Sequence, residues 1–223
     1  MIERGALGDA RAVLFDLDDT LYDAATLETQ ADQAVAEVFA RLGEIEVAEA
    51  LVYAANARVG GWSGYLDRWA EAMNLGRESV AEALNVRRSM SPRLELRSGA
   101  AELLSELKEA GRAIAIVTNG DRRQQENKVD ALGLVARWGI HVEYAADSEP
   151  KPSPRSVERT LNTIGVPAPQ AVFVGDSASD ESAAQAAQVR FVWAEEIFGP
   201  LSSRVGSRRS VRRNSTGRRE LLP

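Results

Sequence analysis

The chain has no cysteine and a single histidine, His141, among its 223 residues. Disulfides, thiolate nucleophiles and cysteine zinc sites are thereby excluded, and a Ser-His-Asp triad or a multi-histidine metal site is left without support. No apolar run approaches the roughly 18 residues that span a bilayer, so no membrane association is expected. Residues 1–11 mix charges and lead straight into an apolar run, without the long apolar stretch and small-residue cleavage site of a secretory signal. A cytoplasmic location is the resulting expectation. Basic residues are also scarce in the body of the chain. The formal charge is −6, but residues 200–223 hold seven Arg against one Glu, leaving 20 basic and 32 acidic residues, a net −12, in residues 1–199. An acidic body disfavours nucleic acid as a partner. What remains for chemistry is carboxylates, hydroxyls and lysines.

The apolar fraction of 44% and charged fraction of 27% are those of an ordinary globular protein long enough to bury a core. Four short apolar runs, 12–15, 113–117, 171–174 and 190–193, each end in a polar loop, the pattern of buried strands. Amphipathic helical patterns lie between them, at 100–110, 122–132 and 154–164, each closed by glycine, and at 180–187. Strands alternating with helices predict an α/β fold with a parallel sheet, whose ligands bind at the carboxyl ends of the strands. Residues 24–93 break the alternation: Ala31, Val35, Val38, Phe39 and Leu42 stand at helical spacing, so this segment reads as an inserted helical subdomain. Within it, residues 60–65 read as a helix break, and Trp62, Tyr65 and Trp69 as a packed helix face, with a substrate-facing surface as the alternative. The core is then 1–23 and 94–199, and the Arg- and Ser-rich tail 200–223 has almost nothing apolar to bury and is expected to be disordered.

Four polar clusters follow the apolar runs. Asp16-Leu17-Asp18-Asp19-Thr20 places two carboxylates at i and i+2, on the same side of a strand end. Thr118-Asn119-Gly120 offers a hydroxyl and backbone N–H groups of the kind that hold phosphoryl oxygens. Lys151 sits between prolines in Glu149-Pro150-Lys151-Pro152-Ser153-Pro154, which stiffen its loop. Gly175-Asp176-Ser177-Ala178-Ser179-Asp180 supplies two hard oxygen ligands suited to Mg²⁺. Taken singly, each has an ordinary explanation: a solvated loop, a helix-capping turn, a surface lysine, a helix N-cap. Their shared position and order, after a strand or in the adjoining loop of one alternating pattern, is what argues for chemistry.

In this order the clusters resemble the haloacid dehalogenase superfamily, whose motifs are DxDxT, a Thr or Ser after the second core strand, a Lys, and GDxxxD. The likeness covers residues 10–195, and segment 24–93 looks like the C1 cap inserted into that superfamily's Rossmann-like core. The resemblance implies a Mg²⁺-dependent phosphomonoester hydrolase acting on a small phosphorylated metabolite, a sugar phosphate or nucleotide. Asp16 would form an aspartyl-phosphate, with Asp18 protonating the leaving oxygen and then activating water. Asp16, the Asp18 backbone carbonyl and Asp176 would hold Mg²⁺ with Asp180 close by, while Thr118, the Asn119 backbone and Lys151 would grip the phosphoryl group. Asp18 matches a position where the dehalogenase branch lacks an aspartate, which favours phosphate over halide chemistry. A sugar-phosphate mutase, a dehalogenase or a non-catalytic binding protein on the same fold are the alternatives. Residues 118–122 with Gln124, Lys128 and 132–134 look most like the N-acylneuraminate-9-phosphatase and 5′-nucleotidase-like branch.

Overall fold

The computed structural model describes residues 4–59, 61, 64–201 and 203, together with the backbone of 211–213 and 219–221. From the N-terminus, strand β1 (Ala12–Phe15) leads into four helices, α1 (Ala24–Gly43), α2 (Val47–Arg58), α3 (Tyr65–Ala72) and α4 (Arg77–Ser89). Then come α5 (Ala100–Glu109), β2 (Ala113–Thr118), α6 (Arg122–Ala131), α7 (Leu134–Trp138) and β3 (His141–Tyr144). The chain continues through α8 (Arg155–Ile164), β4 (Ala171–Gly175), α9 (Ala178–Ala186), β5 (Arg190–Trp193) and α10 (Ala194–Phe198).

The five strands form one sheet in the order β3-β2-β1-β4-β5, every pair parallel. All four residues of β1 and all five of β4 are buried, which is why these strands are continuous apolar runs rather than alternating ones. Val13, Phe15 and Ile116 join one core layer with Leu103, Leu104 and Leu107 of α5. Leu14, Ala115 and Phe173 face the opposite layer, made with Val157 and Leu161 of α8 and Ala183 of α9. Helices on both faces leave the strand ends as the open route for a ligand. Strand β3 is an addition to the sequence reading: His-Val-Glu-Tyr is half polar, as suits an edge strand, and its buried Glu143 is paired with Arg159 at 3.1 Å.

Helices α1–α4 pack around an apolar cluster of their own, centred on Phe39 and Trp69. The two rings meet edge-on at 5.1 Å, and the Trp69 indole N–H donates to the Ala50 carbonyl at 3.0 Å, so the buried ring leaves no polar atom unpaired. Tyr65 and Trp69 are both buried, in agreement with a packed helix face; Trp62 lies outside the described residues. Leu42 departs from its expected place in that core, being 38% exposed near the end of α1. Most of the tail expected to be disordered also lies outside the described residues, but within it Val211–Arg213 and Arg219–Leu221 pair as antiparallel strands β6 and β7. No helix among the described residues is long and apolar enough to cross a membrane.

Candidate active site

Strand β1 runs between β2 and β4, so the loops leaving these three strands converge at one end of the sheet. Asp16 is the first residue beyond β1, and its N–H donates to the Val174 carbonyl at 2.9 Å, which continues the β1–β4 ladder and fixes its position. Three residues later the backbone turns. Asp19 takes a left-handed conformation (φ 58°), one that short polar side chains tolerate, and its carboxylate accepts from the Ala24 N–H at 2.9 Å, at the start of α1.

Lys151 comes from the loop between β3 and α8, and its side chain is only 2% exposed. The ammonium sits 2.5 Å from Asp16 Oδ1, 2.7 Å from Asp180 Oδ1 and 2.8 Å from the Val117 carbonyl. The Asn119 side chain holds the Lys151 backbone from both sides: Oδ1 accepts from the Lys151 N–H and Nδ2 donates to its carbonyl, each at 2.9 Å. Asn119 therefore holds Lys151 through its side chain, where the sequence had pointed to its backbone alone. Thr118 is buried at the end of β2, its Oγ1 3.4 Å from the Asn119 carbonyl oxygen.

After β4, Ser177 caps α9 and Asp180 completes a capping box, its Oδ2 accepting from the Ser177 N–H at 3.0 Å and hydroxyl at 2.6 Å. One carboxylate oxygen is thus committed to the cap and the other to Lys151. Gly175 is what allows Asp180 so close to the strand, because a Cβ there would lie 2.7–2.8 Å from the Asp180 side chain, its Cβ included. Gly175→Ala is expected to push Asp180 out of the cluster, lowering stability by about 1–3 kcal/mol and weakening stabilisation by divalent cations. Thermal melts with and without Mg²⁺ check this, and values matching the unmodified protein would contradict it.

Asp16, Asp176 and Asp180 each offer a carboxylate oxygen within 4.8 Å of one another. This all-oxygen set fits a hard divalent cation, and the electrostatics favour one. Burial pushes the Asp16 carboxyl up to about 7; Lys151 pulls it down, and the charges of Asp180 and Asp18 raise it again. Burial acts to lower the Lys151 ammonium, but Asp16 and Asp180 outweigh it and hold it above its ordinary value. Lys151 thus offsets only part of the cost of burying the Asp16 charge, and a cation bound beside it would favour the carboxylate further.

Asp18 stands apart from the acidic triad. Lys128 donates to it at 2.7 and 3.0 Å, Gln125 at 3.2 Å, and the Tyr22 hydroxyl also donates to Oδ1. Burial first, then the Asp18 charge, raises the Tyr22 phenol, which stays a donor. Gln125 and Lys128 come from α6, over a hundred residues away in sequence, and the reading of the residues did not single them out as site groups. The available signal was a Gln and a Lys three apart on one face of a helix, both buried.

A family model described as haloacid dehalogenase-like hydrolase matches residues 10–188. A phosphoglycolate phosphatase of Pseudomonas syringae pv. tomato is 35% identical over 195 residues, covering 82% of this chain and 68% of that protein. Among solved structures, CbbY from Rhodobacter sphaeroides in complex with phosphate aligns with a TM-score of 0.56 at 25% identity, over 82% of this chain and 85% of that one. A HAD-superfamily hydrolase of Geobacter sulfurreducens has the same fold, with a TM-score of 0.62 at 22% identity over 83% and 87%. With an ordered set of acidic loops on a parallel sheet and a family match along most of its length, the chain belongs to the haloacid dehalogenase-like hydrolases.

Proposed function

We propose that the protein is a Mg²⁺-dependent phosphatase of small phosphorylated metabolites, in which Asp16 is the nucleophile. The observation that carries this reading is the buried Lys151 ammonium bridging Asp16 and Asp180 where three carboxylates converge. A phosphoryl group repels an anionic nucleophile, and only a site with cations beside the carboxylate permits attack. Asp16 attacks phosphorus, the P–O ester bond breaks, and the leaving oxygen takes a proton from Asp18. The phosphoryl group is then carried on Asp16 as a mixed anhydride. Asp18, now a carboxylate, takes a proton from water as the water oxygen attacks phosphorus, releasing inorganic phosphate and regenerating both groups.

Lys128 has a place in this sequence, since an ammonium 2.7 Å from Asp18 stabilises the carboxylate that proton transfer leaves behind. Thr118, the Asn119 backbone and Lys151 grip the phosphoryl oxygens. Asp16, Asp176 and Asp180, with the backbone carbonyl of Asp18, would hold Mg²⁺, which when bound neutralises charge on the phosphoryl oxygens. Proton transfer through Asp18 contributes on the order of 10²–10⁴ in rate. Helices α1–α4, within residues 24–93, serve as a cap over the core formed by 1–23 and 94–199, shielding the anhydride from stray water until Asp18 is poised.

The presence of Asp18 supports phosphate over halide chemistry. The curated relative supports a small phosphorylated acid as substrate, whereas the likeness to the N-acylneuraminate and nucleotide branch rests on residues 118–134 alone. The test is release of inorganic phosphate from p-nitrophenyl phosphate and from 2-phosphoglycolate by purified protein with Mg²⁺. Turnover is expected to vanish with EDTA and return with excess Mg²⁺. Turnover that a chelator leaves untouched, or none across a panel of phosphorylated metabolites, contradicts the proposal.

A further inference from the structure

Between α1, the end of α4 and α6 lies a small cavity of about 40 Å³, whose lining includes the apolar Leu27, Ala31 and Met90 and the charged Glu28, Arg87 and Lys128. Lys128 is the link to chemistry, because the same ammonium that lines the cavity is bonded to Asp18. Asn127 fixes the wall, its amide donating to the Arg88 and Met90 carbonyls at 3.0 Å each and so tying α6 to the end of α4.

Arg87 is bound on one side only. Its Nη2 donates to both carboxylate oxygens of Glu28 at 2.7 Å, while its Nη1 is buried and meets no acceptor in the protein. A guanidinium carries its five N–H donors in a rigid fork that matches a carboxylate. A buried donor of this kind without an acceptor is unfavourable, and apolar neighbours that exclude water sharpen the need for one. The charges lining the cavity are Arg87 and Lys128 against Glu28, and Lys128 is also bonded to Asp18.

We propose that this cavity receives the distal end of the leaving group and that the group it takes is a carboxylate, bound by Arg87 Nη1 beside Lys128. The substrate is then a short phosphorylated hydroxy acid rather than a sugar phosphate or nucleotide. This rests on the phosphatase reading, in which the leaving oxygen comes to Asp18; Lys128, bonded to Asp18, also lines this cavity and so joins it to whatever is attached to that oxygen. Size agrees: pockets for drug-sized ligands run to roughly 300–1,000 Å³, and this space suits an end group of a few atoms but not a sugar ring or a base.

The experiment compares kcat/KM for 2-phosphoglycolate and 2-hydroxyethyl phosphate, which differ in whether a carboxylate or a neutral hydroxymethyl stands at the far end. The wild type is expected to prefer the acid by roughly 10–100-fold, the range of a charge-assisted hydrogen bond. Arg87→Gln is expected to bring that ratio to within a few-fold of one. Glu28→Gln, which removes the competing carboxylate and keeps the side-chain volume, is expected to raise it. A purely structural Arg87–Glu28 pair would lower both substrates together in both variants and leave the ratio unmoved. Equal wild-type efficiency on the two substrates, or an unmoved ratio in the variants, overturns the subsite alone. Release from p-nitrophenyl phosphate but from neither of these two also overturns the subsite, whereas release from none of the three overturns the phosphatase reading beneath it.

Discussion

Asp16→Asn is expected to lower phosphate release by about 10⁴-fold or more while leaving the fold intact. An amide cannot form the mixed anhydride, so the loss should appear in kcat rather than in substrate affinity. The fold should survive because Lys151 keeps its bonds to Asp180 and to the Val117 carbonyl. Burial raises the Asp16 carboxyl to about 7, so its ionised form is unfavourable in the metal-free protein. Removing that charge should leave the thermal midpoint unchanged or slightly higher. Activity within tenfold of the wild type, or a midpoint collapsed along with activity, would contradict the role given to Asp16.

Lys151→Met is expected to be the most destabilising single change in the site, by about 3–5 kcal/mol in the absence of divalent cations. Asp16 and Asp180 are both buried, and the ammonium lies within 2.7 Å of each; without it their carboxylates face one another unscreened. Mg²⁺ should restore part of the stability, so the Mg²⁺-dependent rise in midpoint is expected to be larger in the variant than in the wild type. Phosphate release should stay low even with Mg²⁺, since the grip on the phosphoryl group proposed for Lys151 is lost as well. An equal Mg²⁺ response in the two proteins would argue that cation and lysine do not share the same carboxylates.

The same electrostatics give a pH signature in the metal-free wild type. Asp16 is raised on folding from 3.8 to about 7. A carboxyl raised in this way contributes stability that is complete below its unfolded value and is lost as pH rises through the folded one. The Asp16 share of stability in EDTA-treated protein therefore falls between about pH 4 and 7, and Mg²⁺ should suppress that fall. Midpoints measured across the window with and without Mg²⁺ report it, and Asp16→Asn should remove it.

Strands β1 and β4 were legible because parallel strands buried on both faces must be apolar throughout, and the edge strand β5, only partly buried, was legible through its apolar Phe191-Val192-Trp193. Residues 12–15 and 190–193 coincide with β1 and β5, while β2 and β4 each run one residue further, into Thr118 and Gly175. Strand β3 was not legible, since an edge strand needs no apolar run, and α7 is only five residues long. In the site, Asp16, Lys151, Asp176 and Asp180 could be named because each sits in a short polar cluster directly after an apolar stretch or in a proline-stiffened loop. Gln125 and Lys128 could not. They lie on a polar helix whose exposed and buried faces differ little in composition, so nothing local marks which side chains turn toward Asp18. Arg97 was not among the residues singled out either, yet it donates to the carbonyls of Asp19, at 3.2 Å, and Gly199 and stacks on Phe198, bracing the loop that follows Asp16. Its partners come from two distant parts of the chain, which local patterning does not reveal.

The central claim is that the phosphoryl group passes through Asp16. The most direct measurement is a rapid acid quench of excess protein mixed with 2-phosphoglycolate and Mg²⁺, followed by mass analysis of the peptide containing Asp16. The expected result is a transient gain of one phosphoryl mass on that peptide, absent in Asp16→Asn and longer-lived in Asp18→Asn, where water is no longer activated. Phosphate release at full rate with no phosphorylated peptide at any quench time, or with the phosphoryl group on another residue, would contradict it.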